Sequence, residues 1–308
     1  MTRKVASRSD GGGDTYIVDS VELRTIMDWK NLLESAGDKA KITIVTYSFY
    51  GVDLIKDMKN VTLIMNSKRF DSKFNESLPM AKIQHFDNTH AKIVLIEPNI
   101  VCLSSQNFGP SCWFEGSLVV RDDPAIYQHY FEHIKNIDKN RTGNIKRGSF
   151  SDGSKHYGKV AGNPKPYAPN IGSLSLSDVE IKFSTMVNWN QKFNGCRDRD
   201  IIVCTYTLPN LDYVRTILGK LFKQGNRVRI VANKICEPVL SRLACEFDEL
   251  KISIKPNMHA KMILIDSNLV WLSSQNFGTS GWLENTVRIK SDKAYQFYKD
   301  RLDEYLLE

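Results

Sequence analysis

Two stretches of this 308-residue chain carry the same reactive side chains at the same intervals. Asn88 to Arg121 reads NTHAKIVLIEPNIVCLSSQNFGPSCWFEGSLVVR and Asn257 to Lys290 reads NMHAKMILIDSNLVWLSSQNFGTSGWLENTVRIK, identical at 18 of 34 positions with a constant offset of 169 (259 − 90). Each supplies an imidazole, an ammonium, a hydroxyl, a carboxamide and a late carboxylate: His90, Lys92, Ser105, Asn107 and Glu115, then His259, Lys261, Ser274, Asn276 and Glu284. Successive side chains of a β-strand point to opposite faces, so His90 shares a face with Lys92, and Ser105 with Asn107, while Gln106 points away. The apolar runs Ile93 to Ile96 and Ile100 to Leu103 read as strands joined by a short turn at Pro98-Asn99. Paired, they would bring the four groups together, and such a set can hold a phosphate and attack it. Its presence in duplicate points to one site built from two halves.

The full interval pattern is His-x-Lys, four residues, an acid, six residues, then Ser-Ser-x-Asn. It stands as His90, Lys92, Glu97, Ser105 and Asn107, and again as His259, Lys261, Asp266, Ser274 and Asn276. This resembles the phospholipase D superfamily, many of whose members are nucleases. Two departures are visible: Glu97 replaces the usual Asp in the first copy, and Ser104 and Ser273 stand where Gly is common. Glu97 has the opposite strand parity to His90 and is expected to point away from the phosphate.

The resemblance implies an α/β chain of two phospholipase D-like domains, each a mixed β-sheet flanked by helices. The domains would be related by pseudo-two-fold symmetry, with the active site at their interface. It also implies a chemistry. One His attacks phosphorus to form a phosphohistidine, and the other, protonated, donates to the leaving oxygen and then activates water. Lys92 and Lys261, helped by Asn107, Asn276 and the phosphate-binding hydroxyls Ser105 and Ser274, would stabilise the charge. Glu115 and Glu284 would accept a hydrogen bond from an imidazole and fix its tautomer, with Glu97 and Asp266 in supporting roles. Neither metal nor cofactor is expected, because the two ammonium groups supply the positive charge. Which His is the nucleophile is left open.

Composition frames these expectations. Lys plus Arg exceed Asp plus Glu by 42 − 35 = 7, which favours a polyanionic partner without requiring one. The six cysteines show no paired zinc spacing and mostly sit in apolar runs, as buried thiols of a reducing cytosol do. No secretory apolar segment follows the N-terminus and no run approaches the ~20 apolar residues that span a bilayer, so a cytoplasmic protein without a membrane partner is expected.

The elements that must position the motifs also repeat. Strands are expected at Lys41 to Tyr47, Val61 to Met65, near Ile83 and at Ser117 to Val120. Their second-half counterparts are Ile201 to Tyr206, Val228 to Ala232, near Ile252 and Thr286 to Ile289. Helices are expected at Ser20 to Ser35, Leu54 to Met58, Ala125 to Lys139, Leu211 to Lys223 and Ala294 to Leu307. A tail over 1–13, a first domain over 14–139, a linker over 140–172 and a second domain over 173–308 follow. The linker is rich in Gly, Ser and Pro and carries Arg141, Lys146, Arg147, Lys155, Lys159 and Lys165 against the single acid Asp152. It suits contact with a nucleic-acid backbone or a plain solvated tether.

Trp113 and Trp282 could stack a nucleobase, although core packing repeated with the fold is the plainer expectation. Gln106, Gln275, Phe108 and Phe277 are expected to pack or hydrogen-bond behind the site. A nuclease acting on DNA or RNA is favoured, with a monomer sufficient and a dimer allowed. The alternatives are a phosphodiesterase of phospholipids or small nucleotides, cyclic ones included, and a catalytically silent nucleic-acid-binding module. Retention of both His-x-Lys pairs argues against the last.

Overall fold

The computed structural model describes residues 3–5, 15–18, 20–37, 39–70, 73–139, 173–177, 179–184 and 187–307. The motif strands read as continuous apolar runs because they are buried on both faces. Ile93–Ile96 and Lys261–Ile265 are buried along their whole length. Each lies inside a mixed sheet, antiparallel to its hairpin partner, Ile100–Ser104 or Leu269–Ser273.

The first sheet has eight strands, in the order Ser173–Leu176, Val21–Arg24, Ser117–Val120, Ile100–Ser104, Ile93–Ile96, Ile42–Thr46, Val61–Met65, Lys82–His85. The second has nine: Arg3–Val5, Thr15–Val18, Val179–Ser184, Thr286–Lys290, Leu269–Ser273, Lys261–Ile265, Asp200–Thr205, Arg227–Ala232, Lys251–Ile254. The last three strands of each sheet run parallel to one another and are connected through helices, as parallel pairing requires. The longest of these, Leu211–Lys223, is capped by Asn210, whose side chain accepts from the Tyr213 N–H, and buries Val214, Ile217, Leu218 and Leu221 at helical spacing.

Three apolar cores result. One lies between the halves and mixes their residues: Ile93, Leu95 and Leu118 join Met262, Leu264 and Val287. The helices that close the halves, Pro124–Lys139 and Asp292–Leu307, add Ile126 and Tyr130, and Tyr298 and Leu302, to that shared core. The other two cores fill the outer face of each sheet. The interface that will carry the site is therefore an interior of the molecule.

The helix expected over Ser20 to Ser35 is corrected to two elements. Val21–Arg24 is a strand whose Val21 and Leu23 are buried in alternation, a period of two that prevails over the apolar spacing further on. A six-residue helix, Trp29–Glu34, follows, and its N-cap is Asp28, which accepts from the Asn31 N–H. The expected domain limits also depart from sheet membership. Thr15–Val18 pairs with Val179–Ser184 and, with the adjoining Arg3–Val5, extends the second sheet. Arg3–Val5 is thus a strand inside the expected tail. Ser173–Leu176 crosses the other way and pairs with Val21–Arg24. Both exchanges cover what would be bare sheet edges. The basic linker over 140–172 lies outside the described residues.

Candidate active site

Each reactive His stands on a short segment that enters its strand, and the segment is fixed twice. An asparagine of the same half holds it from one side. The Asn66 amide donates to the carbonyls of Asp87 (2.8 Å) and Thr89 (3.0 Å), and Asn233 donates to those of Pro256 (2.6 Å) and Met258 (3.2 Å). The other half holds it from the opposite side through backbone bonds. The His90 and Ala91 N–H groups donate to the Leu283 carbonyl at 2.9 Å, and those of His259 and Ala260 to the Phe114 carbonyl at 3.1 and 2.7 Å.

The halves then exchange their carboxylates. His259 Nδ1 meets Glu115 Oε1 at 2.8 Å and Oε2 at 3.0 Å, and His90 Nδ1 meets Glu284 Oε2 at 3.1 Å. A carboxylate on Nδ1 favours the proton there, which leaves the Nε2 lone pair available. The ammonium groups fold back over the same segments. Lys92 Nζ donates to the His90 carbonyl at 2.5 Å, and Lys261 Nζ to the His259 carbonyl at 2.6 Å while lying 3.0 Å from His259 Nε2. The two-residue interval thus brings His and Lys to one face in each copy.

Ser105 and Ser274 lie against the glutamates of their own halves. Both are buried. Ser105 Oγ donates to Glu115 Oε2 at 2.5 Å and accepts the Gly116 N–H at 3.0 Å. Ser274 Oγ likewise donates to Glu284 and accepts the Asn285 N–H at 2.9 Å. Their hydroxyls are engaged by the carboxylates and the following backbone N–H groups.

Asn107 lines the same cleft as the two imidazoles, and Asn276 is its counterpart in the repeat. Their Oδ1 atoms accept from the N–H groups of Ser48 (3.3 Å) and Thr207 (3.1 Å), which orients the amide and leaves its NH₂ as the end able to meet a substrate oxygen. Glu97 and Asp266 lie at the far ends of their strands. Glu97 pairs with Lys41 at 3.2 Å, and Asp266 accepts from the Asp200 N–H at 3.1 Å. Any support they give the site passes through the strands. Gln106 and Gln275 brace loops behind it, accepting from Met27 and Val187 and donating to Gly109 and Gly278.

The electrostatics follow from packing these groups out of water. Burial, reinforced by the Lys92 ammonium, pushes His90 down to about 4 against the pull of Glu284. Burial also pushes His259 down to about 4, with Glu115 opposing and Lys261 assisting. Burial and mutual repulsion with Lys261 lower Lys92 to about 7, and burial lowers Lys261 to about 8, offset in part by Glu115 and Glu284. For both glutamates burial raises the pKa, but the His and Lys neighbours outweigh it and hold them below the usual carboxylate range. The site sets two carboxylates against two loosely held ammonium protons. An anion entering between Lys92 and Lys261 would tighten those protons and favour a charged imidazole.

A cleft of about 430 Å³ opens onto this set, lined among others by His90, His259, Asn107, Glu115, Trp113 and Arg69. Its aromatic wall was only half foreseen. Trp113 lies 5.3 Å from the His259 ring and Trp282 5.9 Å from the His90 ring, centroid to centroid, so both tryptophans flank the site instead of filling a core. Tyr206 and Tyr47 complete the two cages, each 5.0 Å from its His and 5.7 Å from the Trp of the other half. The tyrosines were missed, and each does follow a strand that the repeat had already paired.

Comparison with known proteins bears on the fold that carries these residues. Residues 190–306 match the family described as cardiolipin synthase, PLD-like domain. That match covers the half containing His259, Lys261, Asn276 and Glu284, and the first half repeats the same residues. Over the matched half the chain is similar to the phospholipase D-like domain family. Among solved structures, phosphatidylserine synthase from Haemophilus influenzae is similar at a TM-score of 0.61 and 11% identity, over 93% of this chain and 86% of that one. Polyphosphate kinase from Porphyromonas gingivalis is similar at 0.55 and 15%, over 91% of this chain and 48% of that one, so the chain spans about half its length. Nuc, a phospholipase D family member from Salmonella typhimurium, is matched at 19% identity over 41% of this chain and 93% of its own, with a TM-score of 0.32. No curated protein matches the sequence. As likenesses of fold, the first two show the two-domain phospholipase D architecture across nearly the whole chain.

Proposed function

We propose that this protein is a metal-independent phosphodiesterase that hydrolyses DNA or RNA. The observation that carries the reading is the exchange of carboxylates: two imidazoles at one cleft, each with Nδ1 on a glutamate of the other half and two ammonium groups beside them. In the proposed cycle Nε2 of one His attacks phosphorus, the P–N bond forms, and the P–O bond to the leaving group breaks. The second His, charged once the anion is bound, gives its proton to the leaving oxygen. It then takes a proton from water, whose oxygen attacks phosphorus and breaks the P–N bond. Lys92, Lys261 and the amides of Asn107 and Asn276 stabilise the equatorial oxygens.

Nucleic acid is favoured over lipid by the rim. Tyr47, Trp113 and Tyr206 line the cleft, with Trp282 stacked on Tyr47, and offer stacking surfaces to bases, Arg69 lines it, and the chain is net basic. The description of the matched family supports a second reading, a phospholipid diester as substrate.

The test is incubation with labelled single-stranded DNA, duplex DNA and RNA in excess chelator, beside a His259→Asn protein. Cleavage by the wild type alone is expected. Activity abolished by chelator and restored by a divalent metal would overturn the mechanism. Hydrolysis of phosphatidylglycerol vesicles with no cleavage of nucleic acid would replace the substrate assignment with the second reading.

A further inference from the structure

The two halves match at the reacting groups and differ at the rim. In each half the third sheet position from the motif strand, Val61–Met65 or Arg227–Ala232, ends in an asparagine that caps a three-residue helical turn, Ser67–Arg69 or Lys234–Cys236. Asn66 and Asn233 make the same bonds to the loops before the His residues, so the turns occupy equivalent places and can be compared residue by residue.

On the first turn Lys68 sets its ammonium 5.8 Å from the centroid of Trp282, and Arg69 sets its guanidinium 5.1 Å from that of Tyr47. Both side chains are exposed. Those two rings stack on each other and enclose His90, so the two cations stand one ring removed from the reacting imidazole. On the second turn the equivalents are Ile235, which is 48% exposed, and Cys236, which is buried with its thiol on the Tyr206 carbonyl. Lys234 takes the place of Ser67, whose hydroxyl is turned to Asp87. Where the His90 side faces its rings with Lys68 and Arg69, the His259 side carries the uncharged Ile235 and Cys236.

We propose that Lys68 and Arg69 form a second phosphate subsite, which binds the phosphate next to the scissile one on the His90 side and so fixes the direction in which a polynucleotide lies in the cleft. Lys92 and Lys261 are folded against the His segments and serve the reacting phosphate. Lys68 and Arg69 are anchored on a different loop, one ring removed from His90, and are placed for a group further along the substrate. The planar fork of Arg69 suits a phosphate, and its packing on Tyr47 pre-orders it. A substrate with one phosphodiester and neutral arms would leave these two cations unused.

The inference rests on the phosphodiesterase reading of the cleft, and binding separates its fate from that of nuclease activity. Titration calorimetry at fixed ionic strength would compare thymidine 5′-monophosphate with thymidine 3′,5′-bisphosphate on the wild type, on Lys68→Gln/Arg69→Gln and on Lys234→Gln. The bisphosphate is expected to bind the wild type about tenfold tighter, the scale of one charge-assisted contact. That preference should vanish in the double variant and persist in Lys234→Gln. Equal binding of the two ligands by the wild type, or a preference the double variant keeps, would overturn the subsite. If the preference follows this pattern while no nucleic acid is cleaved, the subsite stands and the nuclease assignment falls.

Discussion

Glu115 and His259 are 144 residues apart in the chain and 2.8 Å apart in the molecule. The carboxylate that tunes each imidazole comes from the other half, so neither half holds a complete catalytic unit.

Replacing Glu115 by Gln keeps a hydrogen-bonding partner for Ser105 but withdraws the charge that holds the proton on His259 Nδ1. Turnover is expected to fall by about 10²-fold or more, within the range general acid–base groups contribute, with the fold retained. Steady-state kinetics beside circular dichroism would check it. Activity within threefold of wild type, roughly the 0.6 kcal/mol of a single weak contact, would contradict a catalytic role for the exchange.

Ser105→Ala distinguishes positioning from phosphate binding. Because the hydroxyl is spent on Glu115 and the Gly116 N–H, its loss should lower kcat and leave KM nearly unchanged. A rise in KM at constant kcat would point to the phosphate-binding role.

The pH profile of kcat/KM reports groups of the free enzyme. Both imidazoles titrate near 4, and the cycle needs one neutral to attack and one charged to donate, so kcat/KM should fall below that region and decline above it, because the second proton has to be taken up with the anion. Lys92 at about 7 and Lys261 at about 8 steepen the decline on the alkaline side, where loss of their protons removes the charge that receives the phosphate. A profile flat from pH 6 to 10 would contradict that assignment.

Lys92 is held in the site at the expense of stability. Its folded pKa of about 7 lies below the ordinary 10.5, so between those values the unfolded chain binds a proton that the native site does not, and wild-type stability rises with pH across that window. Lys92→Met should be inactive and more stable than wild type near pH 6, the sign that a lysine pKa held below its ordinary value requires. The gap should narrow toward pH 10. Denaturant melts at both pH values would test it, and a variant less stable at pH 6 would refute the idea.

Much of the site was legible because its side chains are locked to strand spacing. His90 with Lys92, and His259 with Lys261, reach one face by parity alone, and the repeat announced a two-part centre. What parity cannot reveal is partnership across the interface. Glu115 is closer in sequence to His90 than to His259, and only the docking of the halves assigns it. The acceptors of the serine hydroxyls are hidden for the same reason, since they are fixed by the loop after the strand. Tyr47 and Tyr206 are 159 residues apart, not 169, so they fall outside the ungapped repeat. Asn66 and Asn233 lie on other strands and act only through loop carbonyls. In the fold, the alternation of Val21 and Leu23 was too short to outweigh the helical spacing that follows it.

The exchanged edge strands bear on how the chain is made. Thr15–Val18 finds its partner in Val179–Ser184, so it emerges from the ribosome 179 − 18 = 161 residues ahead of that partner. At typical translation speeds of about 5–20 residues per second that is a wait of roughly ten to thirty seconds. The first half therefore cannot finish folding while the second is still being synthesised, and the cleft comes together only as the last strands close.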